Sequence, residues 1–180
     1  MNAAPSLHRS VLGADFDRLA PELRAFHDLA GTHVLEGRCA VERSPGFVKA
    51  LIALAMGLPA ASPDAALRFT LDANSQRERW CRQFPDRAMR STLVVADGLL
   101  EERVGPVALR FRLEVRDGTL VLHPAGARFL GIPYPSFLAP RIVAAERASP
   151  GRLHFDVAVS LPLLGPVVAY KGHLAVNPAP

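Results

Sequence analysis

The sequence predicts an α+β fold in which N-terminal helices precede a long, curved antiparallel β-meander of about ten strands. Apolar residues recur at helical spacing in the first third of the chain, and alternate with polar residues in period two after it. Short turn signals such as Asp-Gly separate the alternating runs, which is typical of antiparallel hairpins. Because a sheet with so many strands tends to curl, we expect a barrel or half-barrel around or against a helix.

Residues 1–64 are predicted to form a helix, a strand and a second helix. The first helix runs from Asp15 to Gly31, since a polar residue opens an apolar stripe there and a glycine ends it. The stripe consists of Phe16, Leu19, Leu23 and Phe26. Charged residues lie off the stripe, so this amphipathic helix requires an apolar partner.

The second helix follows the first strand. Ser44 is a candidate N-cap, Pro45 suits the first turn, and Gly57 ends the helix. Its apolar residues at helical spacing are Phe47, Leu51, Leu54 and Leu58. Since Lys49 is its only charge, we expect the helix to be buried against the sheet. An apolar lid or a membrane-touching helix is the alternative.

Residues 65–176 are predicted to form the antiparallel meander, with a tail at 177–180, and the whole chain is expected to be one domain. Short turns join most of the strands, including two of the Asp-Gly type. The strand assigned in residues 1–64 is His33–Arg43. The meander begins with Leu67–Asp72, Gln76–Phe84, Ser91–Ala96, Leu99–Val104, Val107–Arg116, Thr119–His123, Ile142–Ala148 and Gly151–Ser160, and a last strand contains Tyr170.

Hairpin turns assign side chains to faces, because residues opposite each other across a two-residue turn share a face. The Asp97-Gly98 turn pairs Leu93 with Glu102, which puts Glu102 on an apolar face. Glu101 then points the other way. One carboxylate is therefore predicted to face the interior.

Glu146 is the second carboxylate predicted to face inward. A two-residue turn at Ser149-Pro150 pairs it with Leu153, within a row of apolar side chains. A three-residue loop at the same place would reverse this assignment.

Strand alternation adds Arg82, which lies between Trp80 and Phe84, and Tyr170, which is in step with apolar neighbours. The predicted interior set is Arg82, Glu102, Glu146 and Tyr170. Because unpaired buried charges are costly, we expect Arg82 to pair with one or both carboxylates and Tyr170 to hydrogen-bond to the set. Such a network either only fixes strand register or forms the polar floor of an apolar pocket.

The interior set supplies candidate site residues. Two nearby carboxylates beside an arginine can split their pKa values, so Glu102 and Glu146 are the candidate catalytic acid and base. The candidate ligand-binding residues are Arg82, Tyr170, His27 and Trp80. His27, at the end of the first helix, either caps it or hydrogen-bonds inward.

Composition and motifs exclude several functional classes. The 21 basic and 17 acidic residues are spread without a basic cluster, so no nucleic-acid partner is expected. Cys39 and Cys81 lack a CxxC spacing, the six histidines lack ligand spacing, and no nucleotide-binding glycine motif occurs. We therefore expect neither a metal nor a cofactor. The pattern of a signal peptide or a membrane span is missing, so a cytoplasmic protein is expected.

Short segments from Trp80 onward carry a family resemblance. They are Trp80–Phe84, Glu102–Pro106, Gly131–Pro135 with Leu138 and Pro140, Ala144–Glu146, Gly151–Asp156, Leu161–Gly165 and Tyr170–Gly172. With these segments the chain resembles the bacterial domain-of-unknown-function family 4166, over nearly the whole domain. Members occur alone or attached to NAD-binding, saccharopine-dehydrogenase-like domains, which implies a possible partner of that kind. Where the family usually has Arg-Gly-Trp, this chain has Lys171-Gly172-His173.

The function we expect is the binding of a small apolar or amphipathic ligand in a barrel cavity. One alternative is an acid–base enzyme of the isomerase, cyclase or hydratase type that uses Glu102 and Glu146, with Arg82 stabilising negative charge. The other is a non-catalytic accessory domain for an NAD-dependent partner, with a filled core.

Overall fold

The computed structural model of the chain describes residues 5–176, so the tail expected at 177–180 lies outside the described residues. These residues form three helices and eleven strands, with two short 3-10 turns at Gly13–Arg18 and Ser136–Leu138. The helices are α1 Leu7–Leu12, α2 Pro21–His27 and α3 Phe47–Ala55. The strands are β1 Gly31–Arg43, β2 Ser62–Ala73, β3 Glu78–Gln83, β4 Ala88–Ala96, β5 Leu99–Val104, β6 Val107–Arg116, β7 Thr119–Phe129, β8 Ile132–Pro133, β9 Arg141–Ser149, β10 Arg152–Leu161 and β11 Gly165–Ala175.

All the strands belong to one antiparallel sheet that closes into a barrel. The strand order is β6-β5-β4-β3-β2-β1-β11-β10-β9-β7-β8, and pairing of β6 with β7 closes ten of the strands. The predicted α+β class and long meander are confirmed. At the β1–β11 seam the chains approach so closely that a Cβ on Gly172 would lie 2.1 Å from the carbonyl oxygen of Arg38. Only glycine fits this position.

Both Asp-Gly turns form as predicted. Asp97 and Asp117 adopt φ values of 53° and 48°, which aspartate tolerates better than most residues, and each is followed by a glycine. The register across the first turn pairs Leu93 with Glu102. Local turn chemistry therefore fixes which side chains enter the barrel.

The helix predicted from Asp15 to Gly31 is wrong as a single element. A 3-10 turn occupies residues 13–18, Leu19 is extended, and α2 begins at Pro21. Proline has no N–H to continue a helical ladder, so a new helix starts there. The predicted apolar stripe is nevertheless buried, with Phe16 and Leu23 fully enclosed.

The turn predicted at Ser149-Pro150 is also wrong by one residue. Pro150 and Gly151 form it instead, with Gly151 at φ 71°, and Glu146 lies opposite Phe155 rather than Leu153. The register is thus displaced by two residues. Since side chains repeat every two residues along a strand, the predicted inward face of Glu146 is unaffected.

The predicted burial of the second helix is wrong. The helix forms, but Gly46 rather than Ser44 precedes its first turn, and Phe47 and Leu54 on the predicted buried stripe are 79% and 67% exposed. The opposite side of α3, with Ile52 and Met56, faces the barrel interior. The residues of α3 are apolar on all sides of the helix, so the sequence pattern does not specify which face is covered.

The barrel has two different ends. The N-terminal α1 and α2 close one, called here the helix end, where the Ala20 N–H donates to the Gly118 carbonyl at 3.0 Å. The α3 segment crosses the other, called here the lid end, and a Cβ on Gly105 would lie 2.6 Å from the Ala55 carbonyl oxygen. None of the helices in residues 5–176 is long and apolar enough to cross a membrane.

Candidate functional site

The barrel encloses a cavity of about 230 Å³. It extends from Ile52 and Met56 of α3 at the lid end to His8 of α1 at the helix end. Most of its wall is aliphatic, because the inward positions of β4 to β6 and β9 to β11 carry leucine, valine, isoleucine and alanine. The interior is therefore open rather than packed solid.

Arg82 and Glu102 both line this cavity, as the strand faces predicted. The Arg82 guanidinium donates from Nη1 to the Ser91 hydroxyl at 3.1 Å, and both its terminal nitrogens lie 3.5 Å from Glu102 Oε1. The side chains are 12% and 17% exposed. A guanidinium carries five N–H donors and these contacts are long, so Arg82 retains donor capacity towards the cavity.

Glu146 lines the same cavity but pairs with His27, not with Arg82. Its Oε2 lies 2.6 Å from Nε2 of His27, whose side chain is fully buried. His27 at the end of α2 thus hydrogen-bonds inward, one of its two predicted roles. The expectation that Arg82 pairs with a carboxylate holds for Glu102 alone.

Tyr170 and Trp80 also line the cavity, whereas His27, the remaining predicted site residue, lies behind Glu146 and not in the cavity wall. Tyr170 packs against Phe155 with ring centroids 6.2 Å apart, and burial raises the pKa of its phenol to about 12. Within residues 5–176, the hydrogen bonds of Arg82 and Glu146 do not include the Tyr170 hydroxyl, so that expectation is wrong. The phenol therefore stays protonated and is a free donor near the cavity at neutral pH.

A polar layer divides the interior. A smaller void of about 50 Å³ lies beside the main cavity, and Trp80, Arg82, Glu146 and Tyr170 line both. The Arg82 guanidinium carbon lies 4.9 Å from the Trp80 ring centroid, within cation–π range. Polar and aromatic groups thus form a partition between two apolar spaces.

Two residues of this region, His8 and Glu78, were not predicted from the sequence. Trp80 donates its indole N–H to Glu78 Oε2 at 2.9 Å, and His8 Nδ1 lies 3.6 Å from the other oxygen, longer than a hydrogen bond. The alternation that assigned Arg82 inward also assigns Glu78, two residues before Trp80. His8 gave no comparable signal, because α1 has only six residues.

Two imidazoles lie in contact at the helix end of the cavity, with their ring planes tilted by 34°. The rings of His8 and His27 are 3.8 Å apart between centroids, and Nδ1 of each is buried with no hydrogen-bond partner in the described residues. Burial, and then the nearby His8, lower the pKa of His27 below its ordinary value. At neutral pH a neutral His27 donates from Nε2 to Glu146. Burial raises the pKa of Glu146, but the interactions with His27, His8 and Arg82 together outweigh burial, so the net shift of this pKa is downward.

The arrangement offers donors, acceptors and ionised carboxylates, but no ligand set for a metal. In residues 5–176 no group of three or more histidine, cysteine or acidic side chains is placed to hold a metal ion. Cys39 is buried, and burial raises the pKa of its thiol to about 11, which makes it a poor nucleophile. The site is suited to binding a polar group by hydrogen bonds and to proton transfer.

Comparison with known proteins gives one family and two similar folds. The family described as Domain of unknown function (DUF4166) matches residues 19–174. A structure titled REP1-NXSQ fatty acid transporter has 13% identity, covers 83% of this chain and 97% of its own, and has a TM-score of 0.40. The S-type phycobiliprotein lyase CPES from Guillardia theta has 14% identity, covers 92% of this chain and 97% of its own, and has a TM-score of 0.46. No curated protein sequence matches the chain. These similarities assign no ligand to it.

Proposed function

The chain belongs to the family Domain of unknown function (DUF4166), and we propose that it binds a small amphipathic molecule inside the barrel. One observation carries the proposal: an apolar cavity of about 230 Å³ whose few polar groups include a guanidinium with unused donors. Ligand sites commonly combine an apolar wall with a few orienting polar groups.

The cavity limits the size of the ligand. An apolar protein cavity of about 150 Å³ accommodates benzene. At about 230 Å³ the present cavity fits a somewhat larger body, such as a substituted monocyclic compound or a short alkyl chain. A larger ligand would require α3 to move, because Ile52 and Met56 form part of the wall.

The polar wall limits the chemistry of the ligand. Arg82 and the Tyr170 phenol donate hydrogen bonds, whereas Glu102 accepts them. A ligand group that both donates and accepts, such as a hydroxyl or an undissociated carboxyl, satisfies both kinds of partner. A dissociated carboxylate would pair with Arg82 but would also face Glu102 within the same wall.

Displacement of a fluorescent apolar probe by pentanol, hexanol and heptanol tests this proposal. Each added methylene should strengthen binding about fourfold until the cavity is filled, since burial contributes about 0.8 kcal/mol per methylene. Arg82→Met should weaken alcohol binding, whereas Arg112→Met, on the exposed outer face of β6, should not. Affinity that is independent of chain length, or equal in both variants, contradicts the proposal.

Acid–base catalysis is a second proposal, favoured by two carboxylates that line one cavity with different partners. Glu102 lies beside Arg82, whereas Glu146 accepts a hydrogen bond from His27. Proton transfer would exchange a carbon-bound hydrogen of a bound carbonyl compound for deuterium in D₂O. Exchange that needs both Glu102 and Glu146 supports catalysis, and exchange that persists in Glu102→Gln and Glu146→Gln contradicts it.

An accessory role beside an NAD-binding, saccharopine-dehydrogenase-like domain remains a proposal from the family resemblance. The filled core expected for that role is wrong, because the barrel encloses a cavity. Association of the purified chain with such a domain in analytical ultracentrifugation would test it, and sedimentation as separate species would contradict it.

We also propose a cytoplasmic location, with which the free thiols of Cys39 and Cys81 are compatible.

A further inference from the structure

The lid end of the barrel is unusually apolar at its surface. Among the described residues, twelve large hydrophobic side chains are exposed, and nine of them lie at this end. Four are on α3, one each is at the end of β7 and at the start of β8, and the other three are on the segments that follow β7, β8 and β10. The nine are Phe47, Val48, Leu51, Leu54, Phe129, Leu130, Ile132, Phe137 and Leu163. Exposed apolar surface on this scale marks an interaction site.

The loop tips differ between the two ends of the barrel. In residues 5–176, four residues other than glycine have positive φ: Asp97 and Asp117 at the helix end, and Leu130 and Leu163 at the lid end. Aspartate tolerates the left-handed region, but leucine there is strained. Leu163 is 93% exposed and has φ 71°, so folding does not explain a leucine at this tip.

The charges around this apolar surface are mostly positive. Segments 42–64, 84–90, 104–107, 128–141 and 161–166 form the lid end and contain six basic residues and three acidic residues, Glu42, Asp64 and Asp86. Asp64 pairs with Arg38 of β1, which adds a further positive charge nearby. The basic residues are Arg43, Lys49, Arg87, Arg90, Arg128 and Arg141. Asp86 already pairs with Arg87 at 3.1 Å. The helix end carries acidic side chains as well, among them Asp15, Asp17 and Asp28.

We propose that the lid end docks on an anionic lipid bilayer, with the exposed leucines and phenylalanines in the hydrocarbon boundary and the basic residues at the headgroups. Protruding apolar tips ringed by cations suit this surface, because apolar burial and attraction to anionic lipid act together. A second copy of the chain fits less well, since a two-fold interface would bring the two basic rings together.

Docking in this orientation also places the cavity against the membrane. Ile52 and Met56 line the cavity from the inner side of α3, while Leu51 and Leu54 are exposed on its outer side. Phe129 connects the cavity with the outer surface in the same way, because its side chain lines the cavity and is also 44% exposed. The apolar wall of the cavity is therefore continuous with the proposed membrane surface, and the proposal stands whether or not the cavity holds a ligand.

Co-sedimentation with lipid vesicles tests the proposal. The wild-type chain should bind vesicles of phosphatidylcholine with phosphatidylglycerol more strongly than vesicles of phosphatidylcholine alone. Raising the salt from about 0.1 M to about 1 M should reduce the difference, because the Debye length falls from about 10 Å to about 3 Å. Equal binding to both kinds of vesicle, or binding to neither, would overturn the proposal.

The double variant Leu130→Asn/Leu163→Asn separates docking from folding. Asparagine enters the left-handed region more readily than leucine, so the thermal midpoint should not fall. Vesicle binding should weaken about tenfold or more, whereas Val34→Asn, an exposed apolar residue on β1 near the helix end, should bind as the wild type does. Unchanged binding by the double variant overturns the proposal. A second outcome would also overturn it. If the wild-type chain forms an oligomer but does not bind vesicles, and the double variant is monomeric, the surface is an interface with a second copy of the chain.

Discussion

Replacement of Arg82 by methionine should lower the free energy of unfolding by about 2–4 kcal/mol. The hydrogen bond to Ser91 at 3.1 Å has a charged donor, and such bonds contribute about 1.5–3 kcal/mol. The cation–π contact with Trp80, at 4.9 Å, adds about 0.5–1 kcal/mol. Glu102 also loses its nearest positive charge. The full cost of a broken buried pair, about 3–5 kcal/mol, is not expected, because the pair is long and faces the cavity.

Urea unfolding followed by circular dichroism measures this loss. Arg112→Met is the matched control, since Arg112 is exposed on the outer face of β6, and it should cost no more than about 0.5 kcal/mol. The double variant Arg82→Met/Glu102→Leu should recover much of the loss, because apolar groups replace a buried pair well. Equal small losses for Arg82→Met and Arg112→Met would refute the reasoning, as would a double variant less stable than Arg82→Met alone.

Three further predictions concern the core. Burial and His8 hold the pKa of His27 below its ordinary value, so the unfolded chain binds a proton at this imidazole more readily than the folded chain does. The free energy of unfolding should therefore have its full value above about pH 6.5. Below that pH it should fall, by at most about 1.4 kcal/mol per pH unit for this group. His27→Gln should flatten that slope in urea unfolding, and an unchanged slope would argue against it. Gly172→Ala should lower the free energy of unfolding by about 3 kcal/mol or more, or prevent folding. Gly126→Ala, at a position with open space around it, should lower it little. Similar losses in the two variants would mean that the β1–β11 seam is not tight. Iodoacetamide should label Cys81 before Cys39, whose buried thiol has a pKa of about 11, and equal rates would contradict this burial.

Turn chemistry and alternation were sufficient to predict most of the barrel. The Asp97-Gly98 turn fixed the register of Glu102, because the two turn residues are both suited to positive φ. Glu146 was assigned to the correct face although its turn was displaced, since a shift of two residues preserves the face. Glu101 was correctly directed outward, but its burial under Arg103 and Arg110 depends on long side chains that alternation does not describe.

Other features of the site depend on packing between distant parts of the chain. His27 contacts Glu146 across 119 positions, and no local pattern relates them. The exposed side of α3 was predicted to be buried, because a helix that is apolar all round carries no sign of which face is covered. His8 reaches the cavity only because α1 packs against the interior of β4 to β6. Sequence periodicity describes one element at a time and does not include these contacts.

Fluorescence quenching of Trp80 tests the central claim, that the barrel cavity binds a small amphipathic molecule, most directly. Trp80 is the only tryptophan of the chain and lies in the cavity wall. A brominated alcohol should quench it saturably, at one site per chain, whereas its unbrominated analogue should not. Ala144→Phe, which fills the cavity, should abolish the quenching, and Val143→Phe, its exposed neighbour on β9, should not. Quenching that is absent, or that persists in a folded Ala144→Phe variant, would contradict the claim.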